Sequence, residues 1–269
     1  MNWLRSLFGV EKPIIGMAHF KPLPGDPRYL PSTEVRQAAE LLRLDIEALQ
    51  EGGIDGIMLS NEGSLPWMLD PEPVTAVAMA ALIGQVRDAI RVPFGVHVIW
   101  SPMATLDLAA AVGSDFAWEV FTGVYASDFG LWNTNFGQTA RHQKRIKAES
   151  VRLLFEVVPE AAVYLGDRSL KDQIRSTIFN AKPDALCIAG LKPGEAASLD
   201  GVIAVKELNS EIPVLVSTGV KTSNVAAQLA VADGAIVGSA LKKDGNLWNA
   251  VDAARVKDFM QIVRDLRKA

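Results

Sequence analysis

The sequence predicts an α/β protein with a closed (β/α)8, or TIM-barrel, fold. Three observations carry that expectation. Eight short apolar runs alternate with amphipathic segments. The length, 269 residues, is near the ~250 usual for such a barrel. The last two apolar runs both end in glycine and hydroxyl residues.

The strand candidates are 13–18, 55–60, 94–99, 116–120, 153–157, 185–189, 214–217 and 235–237. They are continuously apolar, as parallel strands covered on both faces should be. Helices are expected at 33–50, 74–90, 104–111, 138–148, 170–180, 199–208, 224–231 and 251–266. In the first of these, Val35, Ala38, Ala39, Leu42, Ile46 and Leu49 share one side, and Gly52-Gly53 closes it. Such alternation implies parallel pairing through right-handed crossovers. A doubly wound open sheet would alternate too, but eight units favour closure. No linker divides the chain, so residues 1–269 read as one domain. Trp3, Leu4, Leu7 and Phe8 fall at helical spacing, and residues 1–12 are expected to cover a barrel end.

Composition narrows the classes. At 49% hydrophobic and 22% charged the chain can build a core. A net charge of −4 gives no general pull toward nucleic acid. The basic stretch 141–147 lacks interleaved aromatics and reads as a solvated helix face. The single cysteine, Cys187, excludes a disulfide framework, reads as a core packer, and suits a reducing cytoplasm. No apolar run nears the ~20 residues needed to cross a bilayer. The opening residues do not read as a secretory signal, because Arg5 and Glu11 interrupt them. A homo-oligomer is expected on general grounds.

The strongest chemical signal lies at the last two strand ends, where Ser217, Thr218 and Gly219, then Gly238 and Ser239, follow apolar runs. Glycine lets a backbone approach an oxyanion, and turn amides can point at it. Barrels build phosphate sites from these two loops. These five residues are therefore the expected ligands of a substrate phosphate.

Catalytic groups of barrels sit at the C-terminal strand ends. The sequence puts His19, Asn61, Glu62, His97, Glu119 and Glu156 there, with Trp100 following the third strand. A His/Glu cluster could perform acid–base work or hold a divalent metal. His97 could equally be a core histidine, and Glu62 a solvated loop residue. Glu119 and Glu156 lie within apolar strands, where a buried carboxylate needs a partner. The fifth and sixth strands carry no lysine, which disfavours a Schiff-base centre there. Lys192, in a Lys-Pro-Gly turn, reads as a substrate-side or surface charge. No nucleotide-cofactor motif occurs. Residues 122–137 are expected to form a long lid or Ω-loop from which Asp128 and Tyr125 could reach a ligand, with Trp132 and Phe136 shielding it.

Several segments together resemble the BtpA family, most closely its SgcQ-like branch. They are Gly16-Met17-Ala18-His19 with Pro22-Leu23-Pro24-Gly25-Asp26-Pro27, Asp55-Gly56-Ile57-Met58 with Asn61-Glu62, Phe121-Thr122-Gly123-Val124-Tyr125 with Asp128, and Ala232-Asp233-Gly234-Ala235-Ile236-Val237-Gly238-Ser239. The resemblance implies a ribulose-phosphate-binding type of barrel. It also implies a link to photosystem I biogenesis in one member and to sugar-utilisation gene clusters in the branch. Ala117 and Glu119 stand where members commonly have arginine and asparagine, and Pro159-Glu160 where they have Lys-His. Mechanisms built on those groups do not carry over. The matching polar residues are His19, Asn61, Glu62, Asp128 and Ser239.

The expected function is an isomerase, epimerase or lyase acting on a small phosphorylated sugar or a metabolite derived from one. The rivals are a non-catalytic binding or assembly factor, and a metal-assisted nucleoside or nucleotide hydrolase that stacks its base on Trp100 or Trp132.

Overall fold

The structure is a computed structural model that describes residues 3–30, 35–157, 159, 162–190, 195–209 and 211–268. Lys192, Glu160 and the start of the first expected long helix lie outside them.

Eight described strands close a parallel barrel. They are β1 (Ile14–His19), β2 (Gly56–Ser60), β3 (Phe94–His97), β4 (Phe116–Glu119), β7 (Arg152–Glu156), β9 (Ala185–Ile188), β10 (Val214–Val216) and β11 (Gly234–Val237). Closure comes from β1, which pairs Ile14 with Ala235 on one side and Ile15 with Gly56 on the other. The outer ring contains α2 (Val35–Glu51), α3 (Pro73–Val86), α4 (Pro102–Val112), α5 (Phe136–Arg145), α6 (Leu170–Ala181), α7 (Leu199–Lys206), α8 (Val225–Val231) and α9 (Ala253–Leu266).

Period-two alternation separates two cores. Ile57, Leu59, Phe94, Val96, Ala117, Phe155, Ile188 and Val216 face the helices. Ile15, Met17, Met58, Phe116, Leu154, Ala185, Cys187, Leu215 and Ile236 fill the barrel. Gly95 belongs to the inner series because a Cβ there would stand 2.2 Å from the Phe116 ring. The short helix α1 (Trp3–Phe8) adds Leu4 to this inner cluster, with Phe8 against Phe116 at 5.7 Å between ring centroids.

One device recurs along the strand starts. Asp55, Asp115, Asp184 and Asp233 each immediately precede a strand or its first residue. Their carboxylates accept the main-chain N–H of Ile14, Phe94, Leu153 and Val214 at 2.8–3.0 Å. Each Asp also donates its own N–H to the carbonyl of the same residue. A two-bond ring thus stitches β2 to β1, β4 to β3, β9 to β7, and β11 to β10.

Residues 122–137 depart from the expected irregular loop. They form the antiparallel pair β5 (Val124–Ser127) and β6 (Gly130–Asn133), to which β8 (Ala162–Tyr164) adds a third strand. The segment alternates, with Tyr125 and Trp132 buried while Ala126 and Leu131 are exposed. A turn with Gly130 at φ +118°, braced by Ser127 Oγ, reverses the chain. Strand pairing satisfies the backbone that an Ω-loop would have left to solvent.

Candidate functional site

The barrel mouth lies at the C-terminal strand ends, and the same alternation decides which side chains reach it. Two residues beyond Met17, Met58, Gly95, Phe116, Leu154, Leu215 and Ile236 come His19, Ser60, His97, Trp118, Glu156, Ser217 and Gly238. This is the inward ring at the mouth.

Glu156 is its carboxylate. Oε2 accepts from Ser217 Oγ at 2.7 Å and from Trp118 Nε1 at 3.2 Å. Both donors converge on this one carboxyl oxygen, which fixes the orientation of the group. Tyr125 comes over from β5: burial raises its phenol above the ordinary value, and the charge of Glu156 adds to the rise. Cys187, paired in register with Glu156, is fully buried, and burial pushes its thiol up as well.

His97 packs on Trp118 with ring centroids 4.8 Å apart. Its Nδ1 stands 3.5 Å from Ser60 Oγ and its Nε2 stands 3.4 Å from Glu119 Oε1. Desolvation lowers His97 to about 3. Desolvation also raises Glu119 well above its usual range, against the hydrogen bonds from Thr105 and the amides of Val120 and Ser101. Burial thus disfavours the charged form of both His97 and Glu119. Glu119 follows the inward Trp118 and has outward parity, with Thr105 Oγ donating to it at 3.0 Å from α4. It braces His97 from behind and does not share the hollow with Glu156.

His19 is lowered well below its usual value, first by burial, then by Lys242, Lys21 and His97. Among the described residues its buried Nδ1 has no hydrogen-bond partner, and its Cε1 lies 3.8 Å from where a Cβ would stand on Gly238. His19, His97 and Glu156 are thus brought to one mouth.

The other expected ligands divide. Ser217 spends its hydroxyl on Glu156 and its N–H on Ile188 O. Gly219, at φ +68°, has no room for a Cβ because the backbone of Glu195 and Ala196 would lie 2.3 Å away. Its glycine serves chain packing rather than approach to an oxyanion. Gly238 has its nearest neighbours at 3.7–3.9 Å, and Ser239 opens a short 3-10 turn after it. Thr218 is half-buried between Ser217 and Gly219. Asn61 is buried and accepts the Ile99 N–H at 2.7 Å, which ties the ends of β2 and β3. Glu62 is half-buried beside it and within electrostatic range of Lys242. Asp128 sits exposed at the tip of the β5–β6 turn. Among the described residues no three His, Cys, Asp or Glu side chains group as metal ligands.

Aromatic rings line the mouth. Trp100 meets Trp67, Phe129 and Trp132 at 5.1, 4.8 and 4.5 Å, and Trp132 also meets Tyr125. Trp132 is only 4% exposed, so the cluster already occupies its faces.

Residues 10–265 match the BtpA family over nearly the whole chain. The chain belongs to that family. Within it, the chain is 47% identical over 268 residues to the putative sgc region protein SgcQ of Escherichia coli K12, with all of both chains covered. It is 27% identical to the photosystem I biogenesis protein BtpA of Synechocystis, over 97% of this chain and 91% of that one. Its fold is similar to a Mycobacterium tuberculosis tryptophan synthase structure, with TM-score 0.62, 19% identity and 97% and 95% coverage. It is also similar to the (S)-3-O-geranylgeranylglyceryl phosphate synthase of Thermoplasma acidophilum in complex with sn-glycerol-1-phosphate, with TM-score 0.59, 14% identity and 99% and 97% coverage. At such identities the likeness shows the barrel alone.

Sequence reasoning missed Ser60, Trp118 and Lys242. Ser60 and Trp118 needed strand parity. Lys242 had a signal in its partner: Asp45 interrupts the apolar side Leu42, Ile46, Leu49 of α2, and an acidic residue at a core position asks for a cation. Lys242 is 2% exposed, with its Nζ 3.7 Å from Asp45.

Proposed function

We propose that this BtpA-family chain is an enzyme that moves a proton on a small phosphorylated sugar or a metabolite derived from one. The observation that carries the reading is Glu156, an inward carboxylate held by Ser217 and Trp118 in the same ring as the neutral imidazoles of His19 and His97. Glu156 would take a proton from carbon or oxygen, and an imidazole would deliver or accept one at the neighbouring oxygen. The Gly238–Ser239 corner would anchor the phosphate, so that remote binding orients the reacting end. Support also comes from the fold relative whose structure holds sn-glycerol-1-phosphate.

The test is a panel of sugar phosphates screened by thermal shift, followed by NMR of any stabilising compound in D2O. A substrate should exchange a carbon-bound proton for deuterium with wild-type protein. Glu156→Gln should bind it and lose exchange by at least a hundredfold, within the range for an acid–base group. Stabilisation with no exchange and no turnover would favour the binding-factor reading. That rival draws on the exposed apolar row Leu131, Ala126 and Val163, which lies side by side across the small sheet. The metal-assisted hydrolase has less support: Trp132 is buried, the half-buried Trp100 is packed by three rings, and no three metal-ligand side chains group among the described residues.

A further inference from the structure

Beside the mouth, among the loops that follow β1, β2 and β11, lies a cavity of about 100 Å³. Its wall includes His19, Lys21, Arg28, Lys242, Leu247 and Trp248, and no Asp or Glu lines it among the described residues. Three basic side chains therefore line one small space. Lys21 is exposed and donates to Trp248 O at 3.1 Å, which brings its ammonium to the rim.

Lys242 is the unusual member. Its buried ammonium has three donors, and the contacts on it are long: Asn249 O at 3.3 Å and Asp45 at 3.7 Å. Asp45 gives its other oxygen to the Val251 N–H at 2.8 Å, and Glu62 acts on Lys242 only at electrostatic range. Asp45 and Glu62 both act on Lys242, so two carboxylates stand against three basic side chains and the wall keeps an excess of positive charge. His19 adds a buried Nδ1 with no hydrogen-bond partner among the described residues, on an imidazole that the Leu247 backbone also acts on. The same imidazole abuts Gly238, so a single ring separates this cavity from the corner assigned to the phosphate.

We propose that the cavity is a second anion subsite, and that the substrate is a sugar derivative carrying an acidic group at each end. The proposal rests on the sugar-phosphate reading for the first anchor, with the second group, a phosphate or carboxylate, held by Lys21, Arg28 and Lys242. Burial lowers the Lys242 ammonium from its ordinary value while Asp45 and Glu62 act to hold its charge, and an arriving anion would act in the same sense.

The test uses the full chain, with inorganic phosphate, fructose 6-phosphate and fructose 1,6-bisphosphate as probes. Trp248, half exposed on the wall, is the reporter, and its share of the fluorescence is the part that Trp248→Phe removes. Inorganic phosphate should change that share with a Kd of about 1 mM, and Lys21→Ala/Arg28→Ala should weaken it at least tenfold. Both side chains are exposed at the rim, so the fold survives their loss. The bisphosphate should bind at least tenfold tighter than the monophosphate, and the double variant should erase the difference. A Trp248 response that is absent, or unchanged in the double variant, overturns the subsite; so does a bisphosphate that gains nothing. Gly238→Ala tests the other anchor separately, because its methyl would meet Met17 and His19 at an ordinary 3.7–3.9 Å. It should weaken fructose 6-phosphate and leave the Trp248 response to inorganic phosphate intact. If monophosphate binding is unaffected while that response persists, the corner fails and the subsite stands.

Discussion

At the residue scale, burial acts in opposite senses on the two partners at the end of β3 and β4. His97 is held at about 3 against an ordinary 6.5. The native state stays unprotonated while the unfolded chain takes up a proton below pH 6.5. Its stabilising contribution is whole above that pH and is lost as the pH falls toward 3. By pH 5 the loss is about 2 kcal/mol. His19, lowered by the same cause, adds to it. Glu119 runs the other way: its folded value is raised, so the stability tied to its protonated form is present at low pH and is lost as the pH rises through that value. Thermal unfolding between pH 8 and 4 should show Tm falling below pH 6.5, and His97→Gln should fall less steeply. Equal slopes would mean that His97 is not neutral in the fold. Asp128 makes the contrast. Exposed at a turn tip, it should tolerate Asp128→Ala within about 0.5 kcal/mol by urea denaturation, with ligand binding unchanged.

At the element scale, the eight strands were legible because each is an apolar run closed by turn residues, and their observed limits fall within two residues of the expected ones. The hairpin of β5 and β6 was not, since Val124–Asn133 carries its alternation on only four residues per strand around an Asp-Phe-Gly turn that resembles loop composition. The strand-start aspartates were visible as letters (Asp55-Gly56, Asp115-Phe116, Asp184-Ala185, Asp233-Gly234) but had no meaning until each found its neighbour's first N–H. They predict a common cost. Asp115→Ala should leave the Phe94 N–H, now bonded at 3.0 Å, without its acceptor at a buried strand. The loss should be about 1–3 kcal/mol, and Asp184→Ala and Asp233→Ala should cost similar amounts, together with their pairs to Arg152 and Lys206. Chemical denaturation of the three variants checks this, and losses no larger than that of Asp128→Ala would show that the rings do not bind the strands together.

For the whole molecule, the candidate site was only half legible, for a physical reason. Sequence tells which residues end a strand, but a register slip of one exchanges every inward side chain for an outward one. Glu156 and Glu119 look alike as single acids in apolar runs, yet one meets Ser217 in the hollow and the other meets Thr105 under a helix. The glycine and hydroxyl pattern of the last two strands was equally ambiguous, because Gly219 yields to a neighbouring loop while Gly238 faces inward. What fixes the parity is the filled interior, layer on layer, from α1 to the mouth: Phe116 lies two residues below Trp118, and Leu154 two below Glu156. Removing atoms from the lowest layer should therefore be felt through the stack. Leu4 is 2% exposed within that cluster, and Leu4→Ala should cost about 2–5 kcal/mol, as buried leucines do. Leu131, 60% exposed on the small sheet, should cost little when cut to Ala. Urea midpoints for the pair decide the matter: if Leu4→Ala is as mild as Leu131→Ala, α1 does not close the barrel floor, and the mouth owes its order to the ring of helices instead.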